Sequence, residues 1–316
     1  MRFLLLLLPL TVWAQSYPTR PVTLVVPFAA GGPADGISRA IGAAMGKQLG
    51  QSIVVDNQGG AGGTIGSLRV SKAQPDGYTI LYHNLGMVLG PALVAKLPYD
   101  PAADFDHLGV ITVSYTTLIS RPNLQVASFA DFVSHLKANG DKIMFANSGL
   151  GGISHLCGLL LANTLGTRFT MVPYKGNGPA TNDLIGGRVD LMCDAAATAA
   201  PQIRAGKVKA IGSAGPVRNR ELPDVPTLDE QGLKGFTLEN WNALYAPRGL
   251  PKPVFDRLVS TVQGSWNDPD FKAYLDKTGY TSLAPAEMTP AAHARRVKTE
   301  VERWSTLLRQ AGIHPQ

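Results

Sequence analysis

The strongest constraint on the fold is the alternation of strand and helix patterns along this 316-residue chain. Residues 22–27 form an apolar run that predicts a buried strand, and residues 35–50 carry apolar side chains every four positions, as one helix face does. A strand pattern at 51–56, a helix pattern at 64–72 and a strand pattern at 78–83 continue the series. This βαβαβ order predicts an α/β fold with a mostly parallel sheet.

A second strand–helix series begins at residue 128, after an extended pattern at 108–120. A further extended pattern at 241–247 precedes the helices that close the sequence. The length fits two domains of about 100–200 residues each, and open α/β sheets bind ligands at the carboxyl ends of their strands. We therefore expect two lobes with a ligand cleft between them: lobe 1 from residues 17–118 with 240–316, and lobe 2 from residues 119–239.

Residues 1–14 have the form of a secretory signal peptide. Arg2 precedes an apolar run at 3–10, and small residues follow, so we expect cleavage after Ala14. The run is shorter than the ~20 apolar residues that cross a bilayer. A buried first helix is the alternative. Cleavage would release the mature protein into an oxidising compartment outside the cytoplasm.

The composition is that of a globular protein with a modest excess of positive charge. Hydrophobic residues make up 45% and charged residues 16%, and the formal net charge is +6, which becomes +5 once Arg2 is removed with the signal. The lysines and arginines are scattered and do not interleave with aromatic residues, which disfavours nucleic-acid binding. An overall positive charge suits a receptor for an acidic solute.

The two cysteines, Cys157 and Cys193, could pair in an exported protein. The alternative is two buried thiols in separate elements. Their number and spacing do not resemble a zinc site, which needs four ligands, and the histidines show no metal-binding spacing. We expect no cofactor and no metal.

Two glycine-rich loops each join a predicted strand to a predicted helix, at residues 26–35 and 146–155. The start of a helix offers unpaired N–H groups and a partial positive charge, and glycine lets an anion approach that backbone closely. One such loop in each lobe could hold a carboxylate between them. The alternative is that both are ordinary strand–helix connections.

Other chemistries fit the sequence less well. The glycine-rich segment at 59–66 lacks the third glycine of the dinucleotide fingerprint, and there is no phosphate loop ending in Gly-Lys-Ser or Gly-Lys-Thr. No G-x-S-x-G motif surrounds Ser148. A hydrolase using Ser148 and His155 remains an alternative, although the sequence shows no acid to orient the histidine.

Four further residues could contribute to a pocket, each with a structural alternative. His83 ends a strand, and Lys175 follows one and could counter an acid, whereas a surface histidine and a solvated lysine are the ordinary interpretations. Asp194 could accept a hydrogen bond from a ligand or orient loop amides, or it could cap a helix. Trp241 could line a pocket or pack at the crossing between lobes.

The ordered motifs of this chain resemble the solute receptors of tripartite tricarboxylate transporters, also called Bug receptors. The resemblance covers nearly the whole mature chain and rests on these segments: Tyr17–Val22, Val25–Gly32, Val55–Asn57, Gly60–Gly63, Pro75–Tyr78, Leu97–Pro101, Asn147–Gly149, Ser154–Leu156, Val172–Gly176, Gly186–Asp190, Leu222–Thr227 and Leu244–Pro247.

This resemblance implies a two-lobed periplasmic binding protein of the Venus-flytrap, type II-like class, which is not an enzyme. It implies a small carboxylate ligand and a two-component membrane permease as partner, and we expect a monomer. Combined with the loops above, it gives these candidate ligand-binding residues: Phe28, Ala29, Ala30, Gly31, Gly32, Asp35, His83, Asn84, Ser148, Gly149, Gly151, Gly152, Ser154, His155, Pro173, Lys175, Asp194 and Trp241.

Two segments depart from the family pattern. Three alanines at 195–197 follow Asp194, where many relatives carry an amide and bulkier residues, and the segment 83–87 differs from that of amino-acid binders. Smaller walls together with Met87 favour a larger acid, such as an aromatic dicarboxylate. A ligand sensor that docks a signalling receptor is the alternative to a transport role.

Overall fold

The computed structural model describes residues 17–310 and 313–315. The predicted signal peptide lies outside these residues. In this part of the chain the strands are β1 Val22–Val26, β2 Ile53–Asn57, β3 Thr79–Asn84, β4 Phe105–Ser120, β5 Met144–Asn147, β6 Thr170–Pro173, β7 Leu191–Ala195, β8 Lys209–Ser213 and β9 Glu239–Pro247. The α-helices are α1 Pro33–Leu49, α2 Thr64–Ser71, α3 Gly86–Leu93, α4 Phe129–Asn139, α5 Ile153–Leu165, α6 Asn177–Ile185, α7 Ala196–Arg204, α8 Lys252–Ser265, α9 Pro269–Thr278 and α10 Pro290–Gln310.

The strands form one curved sheet in the order β2-β1-β3-β9-β4-β7-β5-β6, with β8 also paired to β4. β1 is parallel to β2 and β3, and β5 is parallel to β6 and β7, as the strand–helix alternation predicts. β4 and β9 are antiparallel to their neighbours. We call the part built on β1, β2, β3 and β9 lobe 1 and the part built on β5 to β8 lobe 2.

The long strand β4 connects the two lobes. Its residues 105–115 pair with β9, whereas residues 116–120 pair with β7 and β8. The register shifts twice along the β9 pairing, between His107 and Gly109 and between Val110 and Thr112. The change of partners after Tyr115 places the boundary between the lobes at the middle of the sheet.

Buried side chains of both lobes surround this sheet. Helix α1 packs Ile37, Ile41 and Met45, all fully buried, against β1 and β3 in lobe 1. Lobe 2 has its own cluster of buried residues that includes Ile119, Leu184 and others, and a disulfide between Cys157 and Cys193 joins α5 to β7. No helix in the described ranges is long and apolar enough to span a membrane.

Helix α3 is an element that the sequence patterns did not predict. Its residues Gly86, Gly90 and Pro91 are poor helix formers. Met87, Val88 and Leu89 are fully buried in the hydrophobic core, and α3 packs against α10. Burial of apolar side chains therefore decides the conformation here, over local propensity.

Candidate functional site

A narrow cavity, partly open to solvent, lies where the two lobes meet beside β4. Its lining comes from both lobes and from the strands between them: Phe28, Gly32, Pro33, Ala34, Tyr82, Asn84, Thr116, Ser148, Ile153, Asn177, Ala195, Asn240 and Tyr280.

Several helices begin at this cavity. Gly32 and Pro33 mark the start of α1 in lobe 1, while Ile153, Asn177 and Ala195 mark the starts of α5, α6 and α7 in lobe 2. The first N–H groups of a helix have no partner within it, and the helix dipole adds partial positive charge at that end. Helix starts from opposite lobes at one cavity therefore make an environment suited to an anion.

Two asparagines that line the cavity have side-chain oxygens already engaged by backbone N–H groups. The Oδ1 atom of Asn84 accepts from the backbone N–H of Gly86 at 2.9 Å. The Oδ1 atom of Asn240 accepts from the backbone N–H of Leu85 at 3.4 Å. These backbone donors fix which end of each amide is oxygen, so the Nδ2 groups of Asn84 and Asn240 are left as donors for a ligand.

Two hydroxyl groups add to these donors. Thr116 lies at the point where β4 changes partners, and its Oγ1 is buried without a hydrogen-bond partner among the described residues. The Ser148 backbone N–H donates to Ser154 Oγ at 2.8 Å, and the two serine hydroxyls are 2.9 Å apart. When Ser154 donates to Ser148, the Ser148 hydroxyl hydrogen is available to a ligand.

None of the residues that line the cavity is aspartate, glutamate, lysine, arginine or histidine in the part of the chain that the structure describes. Attraction for an anion must therefore come from neutral donors and helix starts. Phe28, Ile153 and Ala195 add apolar surface, which suits the carbon chain of a small organic acid. An amino group on the ligand would find no carboxylate partner in this lining.

Phe28, Gly32, Asn84 and Ser148 are the candidate ligand-binding residues that line this cavity. The rest of the two glycine-rich loops mostly shape the contact between lobes. The Ala29 backbone N–H donates to the carbonyl oxygen of Lys175 at 2.7 Å. A Cβ on Gly149 would lie 2.7 Å from the backbone nitrogen of Gly62.

The other candidates of these loops, among them Gly31, Asp35, Gly151 and Gly152, shape the loop backbone and do not line the cavity. The Gly31 N–H donates to Asp35 Oδ2 at 3.1 Å, which braces the turn before α1. Gly152 is the residue before α5, and its N–H donates to the carbonyl oxygen of Gly149 at 3.0 Å. A Cβ on Gly151 would face Val94 at 3.6 Å.

The two candidate histidines lie behind the cavity wall and are neutral near pH 7. His83 is fully buried and accepts the N–H of Asn84 on Nδ1 at 2.9 Å, so it supports a lining residue. His155 accepts the N–H of Gly151 on Nδ1 at 3.4 Å. Burial lowers the pKa of each imidazole to about 4.

The remaining candidates lie outside the lining. Lys175 and Pro173 are exposed, and Lys175 meets lobe 1 through its carbonyl group. Trp241 is buried against the ring of His293, with the Arg296 guanidinium 5.4 Å from its ring centre, so it packs at the crossing of the lobes. Asp194 is fully buried behind Asn177 and Ala195.

The other lining residues fall into two groups. Pro33, Ala34 and Ile153 lie within the two glycine-rich loops, at 26–35 and 146–155, although they were not named as candidates, and Asn177 and Ala195 mark the starts of α6 and α7. Tyr82, Thr116, Asn240 and Tyr280 come from strands and a loop far apart in sequence. The pairing of β9 with β3 and β4, and of β4 with β7, brings Tyr82, Asn240 and Thr116 together, and no local pattern signals this pairing.

Comparison with known proteins agrees with this architecture. The family model described as "Tripartite tricarboxylate transporter family receptor" matches residues 37–313, so the chain belongs to this family. The family resemblance expected from the motifs is thereby confirmed.

Solved structures show the same fold. The periplasmic binding protein BugD is 43% identical, with a TM-score of 0.92 over 95% of this chain and all of its own. MatC from Rhodopseudomonas palustris with bound malate is 38% identical, with a TM-score of 0.89 over 92% of this chain and all of its own. The R. palustris protein Rpa4515 with adipate is 33% identical, with a TM-score of 0.89 over 95% of this chain and all of its own.

These comparisons define the class of protein. The chain has the mixed α/β periplasmic-binding-protein fold, as expected, and its family and neighbours are solute-binding proteins, not enzymes. The alternative of a Ser148–His155 hydrolase is therefore wrong. In the structure Ser148 is hydrogen-bonded to Ser154, and His155 accepts from Gly151.

Proposed function

We propose that this chain is an exported receptor that binds a small dicarboxylate in the cavity between its lobes and delivers it to a two-component membrane permease. The observation that carries the proposal is the meeting of helix starts from opposite lobes. A Cβ on Gly32, before α1, would lie 3.3 Å from the backbone nitrogen of Gly178 in α6. This contact brings the starts of α1 and α6 together beside the cavity, and positive helix ends from both lobes suit a ligand with negative charge.

The ligand class follows from the lining. Neutral donors without a carboxylate favour an acid that lacks an ammonium group, because a buried cation without a partner is costly. MatC and Rpa4515, whose structures contain malate and adipate, support a dicarboxylate. Ala195 keeps that wall small, whereas Met87 is fully buried outside the lining and gives no support to an aromatic ligand.

A thermal-shift panel with the purified mature chain tests the ligand class. The panel compares aliphatic dicarboxylates of four to six carbons with citrate, phthalate, aspartate and glutamate. A ligand at 100 times its Kd adds about 2.7 kcal/mol of stability. We expect the largest rise in Tm with an aliphatic dicarboxylate, and a rise confined to the amino acids would contradict this assignment.

Export and transport need separate tests. Mass spectrometry of the protein from the periplasmic fraction should give a chain that begins at Gln15, and an intact N-terminus there would contradict signal cleavage after Ala14. Uptake of labelled dicarboxylate by cells should fall on deletion of either the receptor or the permease. Two results together would identify the chain as a sensor instead. Loss of the receptor would leave uptake of the dicarboxylate unchanged, and a transcriptional response to the ligand would need the receptor but not the permease.

A further inference from the structure

The carboxyl group of Asp194 is fully buried at the end of β7 and is bonded only to neutral groups. Its Oδ1 accepts the side-chain N–H of Asn177 at 2.7 Å and the backbone N–H of Ala195 at 2.9 Å. Its Oδ2 lies 3.3 Å from the hydroxyl of Thr181. Among the described residues no lysine, arginine or histidine forms an ion pair with it.

The two carboxyl oxygens of Asp194 have different hydrogen-bonding requirements. Oδ1 faces two N–H groups, which can only donate, so it must remain an acceptor. Oδ2 faces a hydroxyl, which can donate or accept, and the Thr181 hydroxyl also has the carbonyl oxygen of Asn177 at 2.9 Å as an alternative acceptor. A proton on Oδ2 could therefore donate to Thr181 without the loss of any bond to Oδ1.

Through Oδ1, Asp194 fixes two helix starts at the cavity. The other side-chain N–H of Asn177 donates to the carbonyl oxygen of Cys193 at 3.3 Å, and its Oδ1 lies 3.2 Å from the Ser154 hydroxyl, whose hydrogen goes either to this oxygen or to Ser148. Both side-chain N–H groups of Asn177 are thus engaged by protein groups. What it offers a ligand is the backbone at the start of α6, while Ala195 offers the backbone at the start of α7.

Asp194 lies directly behind the cavity wall, because Asn177 and Ala195, which line the cavity, donate to its Oδ1 at 2.7 and 2.9 Å. Burial, followed by Tyr82, Tyr274 and the negative charge of Asp194, raises the pKa of the lining residue Tyr280. The other groups that face Asp194 are neutral: Thr117 on β4, Asn177 and Thr181 on α6, and Thr198 on α7. An anionic ligand in the cavity would therefore meet a like charge with no cation between them.

We propose that Asp194 is a positioning residue that holds the starts of α6 and α7 through Oδ1, and that its Oδ2 binds a proton from solvent when an anionic ligand enters the cavity. This inference rests on the proposed function. The carboxylate and the proton combine to give the neutral acid, and no other reactant is needed.

The expected direction follows from linkage. Burial already raises the pKa of Asp194 above its usual value, despite the hydrogen bonds from Thr198, Asn177, Ala195 and Thr181 that lower it. A bound anion raises the pKa further, so between the two values the complex holds more protons than the separate partners. Affinity for a dicarboxylate should therefore rise as pH falls through this range.

Titration calorimetry with adipate from pH 8 to pH 5 tests the proposal, with each pH measured in two buffers of different ionisation enthalpy. The wild-type chain is compared with Asp194→Asn, Asp194→Ala and the control Asp183→Asn, an acid of α6 paired with Arg188 on the surface. Adipate also exchanges protons with solvent when it binds. This contribution is common to both chains, so it cancels in the difference in proton uptake between wild type and Asp194→Asn.

We expect wild type and Asp183→Asn to take up more protons per adipate than Asp194→Asn. Asp194→Asn keeps an acceptor for both N–H groups and should bind within about threefold of wild type or more tightly, whereas Asp194→Ala should bind at least about tenfold more weakly. Equal proton uptake by wild type and Asp194→Asn would overturn the inference.

If Asp194→Asn does not fold, the wild-type titration decides the question alone. Proton uptake no greater than that expected from the ionisation of free adipate would overturn the inference. Absence of binding of adipate and of every other dicarboxylate to wild type would instead overturn the proposed function, so the two failures are distinguishable.

Discussion

The backbone N–H of Ala29 donates a 2.7 Å hydrogen bond to the carbonyl oxygen of Lys175, which joins lobe 1 directly to lobe 2. Glycines surround this bond. A Cβ on Gly59 would lie 2.5 Å from the same carbonyl oxygen, and a Cβ on Gly62 would overlap the carbonyl oxygen of Leu150. The lobes therefore meet backbone to backbone, and this close contact depends on the absence of side chains.

Gly178→Ala should weaken ligand binding by hindering closure. The added methyl group would lie 2.9 Å from the carbonyl oxygen of Ala30 and 3.3 Å from the backbone nitrogen of Gly32, both in lobe 1. Overpacking of this kind costs about 1–3 kcal/mol, so the Kd for a dicarboxylate should rise roughly 5- to 150-fold. Calorimetry measures the Kd, and small-angle scattering should show a smaller ligand-induced decrease in radius of gyration.

Gly186→Ala is the matched control at the other end of α6. Its methyl group would make ordinary contacts of 3.4 and 3.6 Å with carbonyl oxygens of the same helix. We expect wild-type affinity for this variant. Equal Kd values for Gly178→Ala and wild type would show that the close approach of α6 to lobe 1 is not required for binding.

Ser148→Ala should remove one donor to the ligand. A hydrogen bond to a charged group contributes about 1.5–3 kcal/mol, so the Kd should rise by roughly 10-fold or more. Ser128→Ala is the control, because Ser128 caps α4 by accepting the Asp131 N–H at 3.1 Å and does not line the cavity. It should lower stability by about 1 kcal/mol with no change in Kd. A similar loss of affinity in both variants would contradict the role of Ser148.

Removal of the disulfide should lower stability substantially. Cys157 and Cys193 are 36 residues apart, and cross-linking a loop of this length stabilises by about 4 kcal/mol in the chain-entropy model. Urea unfolding of Cys157→Ala/Cys193→Ala against oxidised wild type measures the difference. Unfolding midpoints that coincide, and that do not respond to dithiothreitol in wild type, would contradict the pairing.

Stability should fall as pH decreases from about 6.5 to about 4. The pKa values of His83 and His155 are near 4 in the folded chain because burial disfavours the imidazolium, whereas the unfolded value is near 6.5. The unfolded chain therefore binds more protons than the folded chain between these pH values. Each histidine contributes up to about 1.4 kcal/mol per pH unit to the slope of the free energy of unfolding against pH.

His155→Gln should reduce that slope. Free energies of unfolding at pH 7, 6, 5 and 4.5 give the comparison, with His314→Gln, at an exposed position near the C-terminus, as the control. A slope unchanged by His155→Gln and changed by His314→Gln would contradict the assigned pKa of His155.

Much of the fold was predictable because periodic patterns report which faces are buried. The parallel units of β1, β2 and β3 follow from the strand–helix alternation of residues 22–83. Helix α3 was missed because Gly90 and Pro91 disfavour a helix locally, while burial in the core decides the outcome. The sequence patterns of residues 180–186 and 201–205 predict two helices, and α6 and α7 begin three and five residues earlier, at Asn177 and Ala196.

The candidate site was predictable only where it consists of local strand–helix loops. Phe28, Gly32 and Ser148 lie in the two glycine-rich loops and do line the cavity. Thr116 and Asn240 line it because β4 changes partners between the lobes, a long-range pairing that residue types do not encode locally. His83 and Asp194 are polar groups at strand ends that turned out to support lining residues from behind.

A calorimetric titration of malate and adipate into the purified chain, after unfolding and refolding to remove any co-purified ligand, tests whether the cavity binds a dicarboxylate. We expect one ligand per chain, with a Kd in the micromolar range or below for at least one dicarboxylate of four to six carbons. No binding heat for any such dicarboxylate at millimolar concentration, in protein shown to be folded, would contradict the claim that this cavity is a dicarboxylate site.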